Sequence, residues 1–472
     1  MLLDTTRKQY IICKQKYEIE HVFILNDEVD ILIKMSKDFF FISTTDAELE
    51  AGDDLLARSA QVIREAYADT DPDLREVLDD PNAETPIINI SVSYDGTWMK
   101  RGFTSLYGVG VAIDILTGLV VDYHIMSKYC HACKEAESKN LTVAELGAWK
   151  QRHKDSCCVN HTASSKSMET EAAMVLWGRS VEKLKFRYTE MLSDGDSSAF
   201  KAVTDMNPYP DQEEKVVKLD CLNHAHKRMG GALRKLAKEE RLGGNGVGRL
   251  TANKCQAMQN FYRGALLGNL TDTKKMRDAI WATLWHSMST DDEPQHHLCP
   301  SGEESWCFIK RAEARNEVPL PKHTEQHHST HLQKSIALKL IPVYRRMSEE
   351  SLLKRMMHGG TQNTNECLNG MIWARCPKTT FMGLRRVQSA VARAVCVFNE
   401  GATEVISVMG IQGIEIATPS LKILAKKDDD RIKSANAVRT DEARAARKEY
   451  AAKKKLVMRA EDGQHDYQSG SH

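Results

Sequence analysis

Alternation of apolar and polar positions is sharpest at IINISVSYD, residues 87–95, a β-branched run of period two that predicts a strand ending on Asp95. Two further β-prone runs, FTSLYGVGVAID and GLVVDYHIMS, follow with a turn around Ile115 to Gly118, the pattern of an antiparallel hairpin. The period then changes. METEAAMVLWGRSVEKLKF carries apolar residues at helical spacing, RYTEMLSDGD predicts a fourth strand leading into Asp194, and EKVVKLDC predicts a short fifth one after another helix. From Arg241 to about Glu350 the chain is helical and irregular, too long for a simple connection, and predicts an inserted helical subdomain. MMHGGTQNTNECLNGMIWARCPK and GLRRVQSAVARAVCVFNEG resume a regular helical pattern. A charged, Ala- and Lys-rich helix former runs from Leu421 to Arg459. The first 84 residues hold short apolar pieces (FILNDEVDILIKM, FFFIS) and an acidic helical stretch with no nameable motif.

Strand, strand, strand, helix, strand, helix, strand is the order of an RNase H-like α/β fold, a mixed five-stranded sheet flanked by helices. The expected division is 1–84, of unknown role; 85–240, the first part of the core, with a Cys/His-rich insertion at 128–166; 241–350, the helical subdomain; 351–405, a second helical part of the core; and 406–472, the tail. Acidic residues fall at the ends of the first and fourth strands, which neighbour each other in that fold. Asp95 in SYDGTW, Asp194 in LSDGDSS and the helix-borne Glu366 in TQNTNECLN are candidate ligands for two Mg²⁺ or Mn²⁺ ions, since hard cations take carboxylate oxygens. Asp196 is the substitute for Asp194, with a helix N-cap as its other role. Either Asp-Gly pair alone is also ordinary turn chemistry.

Cysteine use changes the picture again. The chain has 12 cysteines. No apolar run is long enough to span a bilayer, and the N-terminus lacks a secretory cleavage pattern, so an intracellular, reducing setting is expected and spaced Cys/His sets read as metal ligands. Cys130 and Cys133, with His153 and Cys157, suit tetrahedral Zn²⁺; His161 and Cys158 are possible substitutes. Lys plus Arg and Asp plus Glu both number 65, so net charge says nothing of a nucleic-acid partner.

SYDGTWMKRG, CHAC, the H-x-x-x-C-x-x-N-H run from His153 to His161, SSKSME, DGDSSAF, CLNHAHKRM, HHLCPSGEESWC and TQNTNECLNGMIWARCPK together resemble the Mutator-like transposases of eukaryotes. The resemblance covers Ile88 to about Glu400. It implies a DDE triad on an RNase H-like core, landing on Asp95, Asp194 and Glu366, and cleavage and strand transfer at element ends. Two departures, ASSK where GSSG is expected and the extra Cys158, leave the triad untouched. The family is also similar in carrying a Cys-x-x-His between its second Asp and its Glu, here Cys221 and His224. Cys299 and Cys307, with His296 or His297 as further companions, are expected to complete a second, weaker zinc set; DNA contact or helix capping is the other role open to His224 and His226.

His323, His327, His328 and His331 are read as a solvated polar helix and left out of any site. Basic residues that could meet DNA are Lys227, Arg228, Arg234, Lys235, Arg385, Arg386, Arg393 and those between 444 and 459, where a KKK-containing stretch also suits nuclear import. The expected protein acts in the nucleus on transposon ends and target DNA as a homo-oligomer, away from membranes. A catalytically silent DNA-binding protein on the same scaffold, or a nuclease that only hydrolyses, are the alternatives.

Overall fold

The computed structural model describes residues 44–439 apart from 100–103, 140, 195–197, 214, 319, 324–330, 378–381, 412–414 and 417, together with the backbone of four strands within 8–35. Asp196, His327, His328 and the tail beyond residue 439 lie outside the described residues. The chain divides into two compact units, residues 1–54 with 391–472, and residues 55–390.

In the first unit β1 (Lys8–Ile11), β3 (Ile19–Leu25) and β4 (Asp30–Met35) form an antiparallel sheet, and β2 (Cys13–Lys14) pairs with β10 (Glu415–Ile416). Ala47 and Ala51, early in α1 (Thr44–Ala68), pack on Val408 and Ile411 of α16 (Val405–Ile411). Asp428, on α17 (Thr418–Arg439), accepts hydrogen bonds from the backbone of Ala402 and Thr403. Arg393, a candidate for DNA contact, pairs with Glu48 at 3.8 Å.

The second unit is built on a mixed sheet. β5 (Ile88–Trp98), β6 (Tyr107–Asp114) and β7 (Val120–Ser127) form an antiparallel meander whose second turn uses Gly118 at φ 75°. Two helices of the Cys/His insertion follow, α3 (His131–Ser138) and α4 (Val143–His153), and then α5 (Ser167–Leu184). Lys185, left-handed at φ 56°, turns the chain into β8 (Phe186–Ser193); α6 (Ser198–Met206) leads to β9 (Val217–Asp220). The strand order is β7-β6-β5-β8-β9, with β8 parallel to β5 and β9 parallel to β8. Along β8 one residue is extra: Ile90 pairs with Tyr188 but Ser91 with Glu190, so Thr189 forms a bulge.

Two cores hold this unit. In the sheet core, Ile90, Val92 and Tyr94 of β5 and Phe186 and Tyr188 of β8 pack with Leu176 and Trp177 of α5, and with Ala60 and Ile63 from the later half of α1. Trp177 meets Tyr94 and Tyr188 edge to face at centroid distances of 5.6 and 5.2 Å, and its indole N–H donates to the Tyr188 carbonyl. The other core is helical and begins at α7 (Leu222–Glu239). It continues through α8 (Ala252–Leu267), α9 (Thr273–Ser287), α11 (Lys334–Lys339), α12 (Ile341–Met347) and α13 (Glu350–Lys354). α10 (Phe308–Ala314) stands apart from it, and α14 (Asn363–Arg375) returns to the sheet. Among the described residues no helix is long and apolar enough to cross a membrane.

Candidate functional site

Asp95 lies within β5, which continues in pairing with β6 as far as Trp98 and does not end on Asp95 as the alternation predicts; β8 is the next strand. The β5–β8 pairing ends at Ser93 opposite Leu192; continued by two residues, one past the end of β8, it sets Asp95 level with Asp194, with neighbouring strands about 4.8 Å apart. Period two puts the Asp95 side chain on the face that carries Ser93. Asp194 is exposed at the strand exit and pairs with His224 in the first turn of α7.

The third acid arrives from far along the chain, and a row of polar contacts fixes its position. On α14 the residues Gln362, Asn365, Asn369 and Trp373 recur at helical spacing and share one side. Gln362 donates to the Tyr94 carbonyl at 2.9 Å, Asn365 exchanges hydrogen bonds with Ser93 at 2.6 and 3.3 Å, Asn369 donates to the Asp95 carboxylate at 2.8 Å, and the Trp373 indole donates to Thr97 Oγ1 at 2.7 Å. The segment before the helix is tied to the end of β9: Arg355 pairs with buried Asp220 at 2.6 Å, and His358 bonds the Asp220 carbonyl at 3.2 Å. Asn223 of α7 donates to Asn363 at 2.8 Å. Glu366, in the first turn of α14, therefore projects beside these contacts, close enough to act electrostatically on both Asp95 and His224. Asp95, three residues short of the end of β5, Asp194, one residue past β8, and Glu366 are thus brought into one region, Glu366 acting on Asp95 and on His224, which pairs with Asp194.

Burial pushes the Asp95 carboxyl up to about 6, against hydrogen bonds from Asn369 and the Gly96 N–H, and the negative charge of Glu366 raises it further. A fourth acid, absent from the sequence reading although it sits within SSKSME, is Glu169 at the start of α5. Burial, and then the charge of Asp95, raise its carboxyl to about 7. Its side chain lies over Gly96, where an added Cβ would come within 2.5 Å of Glu169 Cγ. The signal that could have found it is the glycine after Asp95, which leaves room for a neighbour. His224 is held low by burial and by Lys227, so at neutral pH it favours the uncharged imidazole.

The Cys/His insertion brings Cys130, Cys133, His153 and Cys157 together, with their ligand atoms within 4.8 Å of one another. Cys130 Sγ is 3.2 Å from His153 Nε2, and Cys133 Sγ is 3.5 Å from Cys157 Sγ. Burial opposes ionisation of Cys130, yet the N–H groups of Cys158 and Cys133 and the His153 ring bring its thiol down to about 6. The two possible substitutes stand outside the group: His161 is buried between Glu171 at 2.6 Å and the Ser164 carbonyl at 2.9 Å, and Cys158 is exposed.

The second set needs correction. Cys299 and Cys307 do meet two other ligands, but these are His286 and His296 and not Cys221 and His224. Cys221 is the buried N-terminal residue before α7, packed with Leu192 and Leu219, while His224 is engaged with Asp194. His286 was missed because it lies in the apolar helical run IWATLWHS, where a histidine reads as core. His323, expected in a solvated helix, instead stacks on His296 at 5.1 Å and bonds Asp291 at 2.8 Å. Both Cys/His groups could hold a metal ion such as zinc.

A family model described as Mutator-like transposase matches residues 58–307, which take in Asp95, Asp194 and both Cys/His groups and stop short of Glu366. No curated protein and no solved structure matches the chain. With more than half of its length matched, this chain belongs to the Mutator-like transposase family.

Proposed function

We propose that the chain is a DDE-type DNA transposase on an RNase H-like core, with Asp95, Asp194 and Glu366 as its catalytic acids. The observation that carries this reading is the return of α14 to β5, which lays Glu366 beside an Asp pair more than 170 residues upstream of it. The strand order β7-β6-β5-β8-β9, with β6 alone antiparallel to the other four strands, supports the fold assignment.

The residues fit Mg²⁺ or Mn²⁺. All the donors are hard carboxylate oxygens, and among the described residues no basic side chain shifts Asp95 and buried Asn369 Oδ1 finds no hydrogen-bond partner. Bound there, two such cations would supply the charge that activates a hydroxyl and relieves the leaving oxygen. The protein's own part is positioning. Asn369 orients the Asp95 carboxylate, His224 holds Asp194, and the Asn223–Asn363 bond keeps the α14 helix against α7. Lys227 and Arg228 lie within a turn of His224, where they would meet the phosphates flanking the reacting one, giving affinity that falls with salt. Cys130, Cys133, His153 and Cys157 would hold Zn²⁺ as a staple for the insertion after β7. A homo-oligomer on paired ends, acting in the nucleus, completes the proposal.

The test is a strand-transfer assay with a pre-cut DNA end and a target plasmid in Mg²⁺. Joined product is expected from the parent chain and none from Asp194→Asn. Cleavage without joining would make this a hydrolysing nuclease, and binding without either would make it a DNA-binding protein.

A further inference from the structure

We infer that His286, His296, Cys299 and Cys307 form a closed structural Zn²⁺ centre, a site separate from the acids and independent of the transposase reading. All four residues are buried, and each offers one ligand atom. The ring nitrogens His286 Nδ1 and His296 Nδ1 are 3.2 Å apart; Cys307 Sγ is 3.4 Å from His296 Nδ1, and Cys299 Sγ is 3.6 Å from His286 Nδ1 and 3.9 Å from His296 Nδ1. Zinc bonds of about 2.05 Å to nitrogen and about 2.3 Å to sulfur, arranged tetrahedrally, require edges of roughly 3.3 Å between nitrogens and roughly 3.6 Å between nitrogen and sulfur. The observed spacings are those edges.

Charge and surroundings agree. Two thiolates and two neutral imidazoles cancel the charge of Zn²⁺, which suits a site with no exposed ligand; the three-cysteine group at 130–157 would carry a net negative charge and is correspondingly more exposed. Ser289 Oγ lies 3.1 Å from His296 Nε2, the hydrogen bond that leaves Nδ1 free to ligate. Trp306 and Phe308 face the His286 ring at 5.0 and 5.8 Å, an apolar shell that keeps water away. The need is also local: between the end of α9 at Ser287 and the start of α10 at Phe308 the chain has no regular element. A loop of that length inside a compact unit requires a staple, and four ligands drawn from its two ends and its middle supply one.

The test counts zinc in the full chain, expressed with zinc and purified without metal-affinity resin. Elemental analysis should give two zinc per chain, falling to one in Cys299→Ser and to one in Cys133→Ser. Zinc X-ray absorption on the parent chain, which needs no variant to fold, should give a shell averaging five sulfurs to three nitrogens over the two sites. One zinc per parent chain, retained in Cys299→Ser, or a parent shell of three sulfurs to one nitrogen, would overturn the proposal.

Discussion

Asp95→Asn is expected to lower Mg²⁺-dependent strand cleavage by about 10²–10³-fold or more, the usual cost of removing one preorganised electrostatic contact from a reacting centre, and at the same time to stabilise the protein in the absence of Mg²⁺. The second half follows from the sign of the shift. The Asp95 carboxyl titrates near 6 in the folded chain, above the ordinary 3.8, so the folded state holds its proton more tightly than the unfolded state does. The stability this contributes is complete below about pH 4 and is lost as pH rises through 6. At pH 7.5 the ionised group is a net burden, on the order of 2 kcal/mol after allowing for partial solvent contact. Asn keeps the shape, can still accept from Asn369, and cannot ionise. Thermal melts in buffer without added Mg²⁺ should therefore show Asp95→Asn above the parent at pH 7.5, with the gap narrowing as pH falls and closed only near pH 3, below the unfolded carboxyl's range. Added Mg²⁺ should raise the parent's melting temperature and leave the variant unmoved. Equal cleavage by the two proteins would sink the catalytic assignment, whatever the melts show.

Trp177→Ala is expected to destabilise the sheet unit by about 3–5 kcal/mol, the range for truncating a large buried aromatic. Trp177 is 1% exposed and touches both central parallel strands, through Tyr94 on β5 and Tyr188 on β8. Its loss opens a cavity and strips the Tyr188 carbonyl of the indole donor. Since Tyr94 directly precedes Asp95, the loss should also loosen the level pairing of the two aspartates. Denaturant unfolding would show the drop as a shift in midpoint with unchanged slope; a loss under 1 kcal/mol would mean that the core closes over the gap.

The central sheet was legible because each strand announces itself by alternation, and because the switch to helical period in METEAAMVLWGRSVEKLKF separates the third strand from the fourth. Asp95, Asp194 and Glu366 stood out as acids at predicted strand ends or on a distant helix, although β5 runs past Asp95 to Trp98, and Cys130, Cys133, His153 and Cys157 stood out by spacing alone. Other features depend on tertiary neighbours and leave no local mark. The packing of Ala60 and Ile63 from α1 under the sheet reads in sequence only as an acidic amphipathic helix. Glu169 becomes part of the Asp95 surroundings only because α5 crosses Gly96. Cys221 and His224 have a ligand-like spacing, yet the short β9 delivers them to different neighbours, one to a hydrophobic cluster and one to Asp194. His286 and Cys307 meet only after the chain has looped back on itself.

The bulge at Thr189 carries a lesson about tolerance to change in length. Because one residue of β8 has no partner, the ladder beyond it is advanced by a single step, and that step is what sets Asp194, and not Ser193, across from Asp95. A chain lacking Thr189 would straighten locally and keep its acids abreast. One lengthened between Met191 and Asp194 would carry the carboxylate past its partner and onto the wrong side of the sheet. Natural variants of this strand should therefore gain or lose residues before Glu190 and hold a constant count after it.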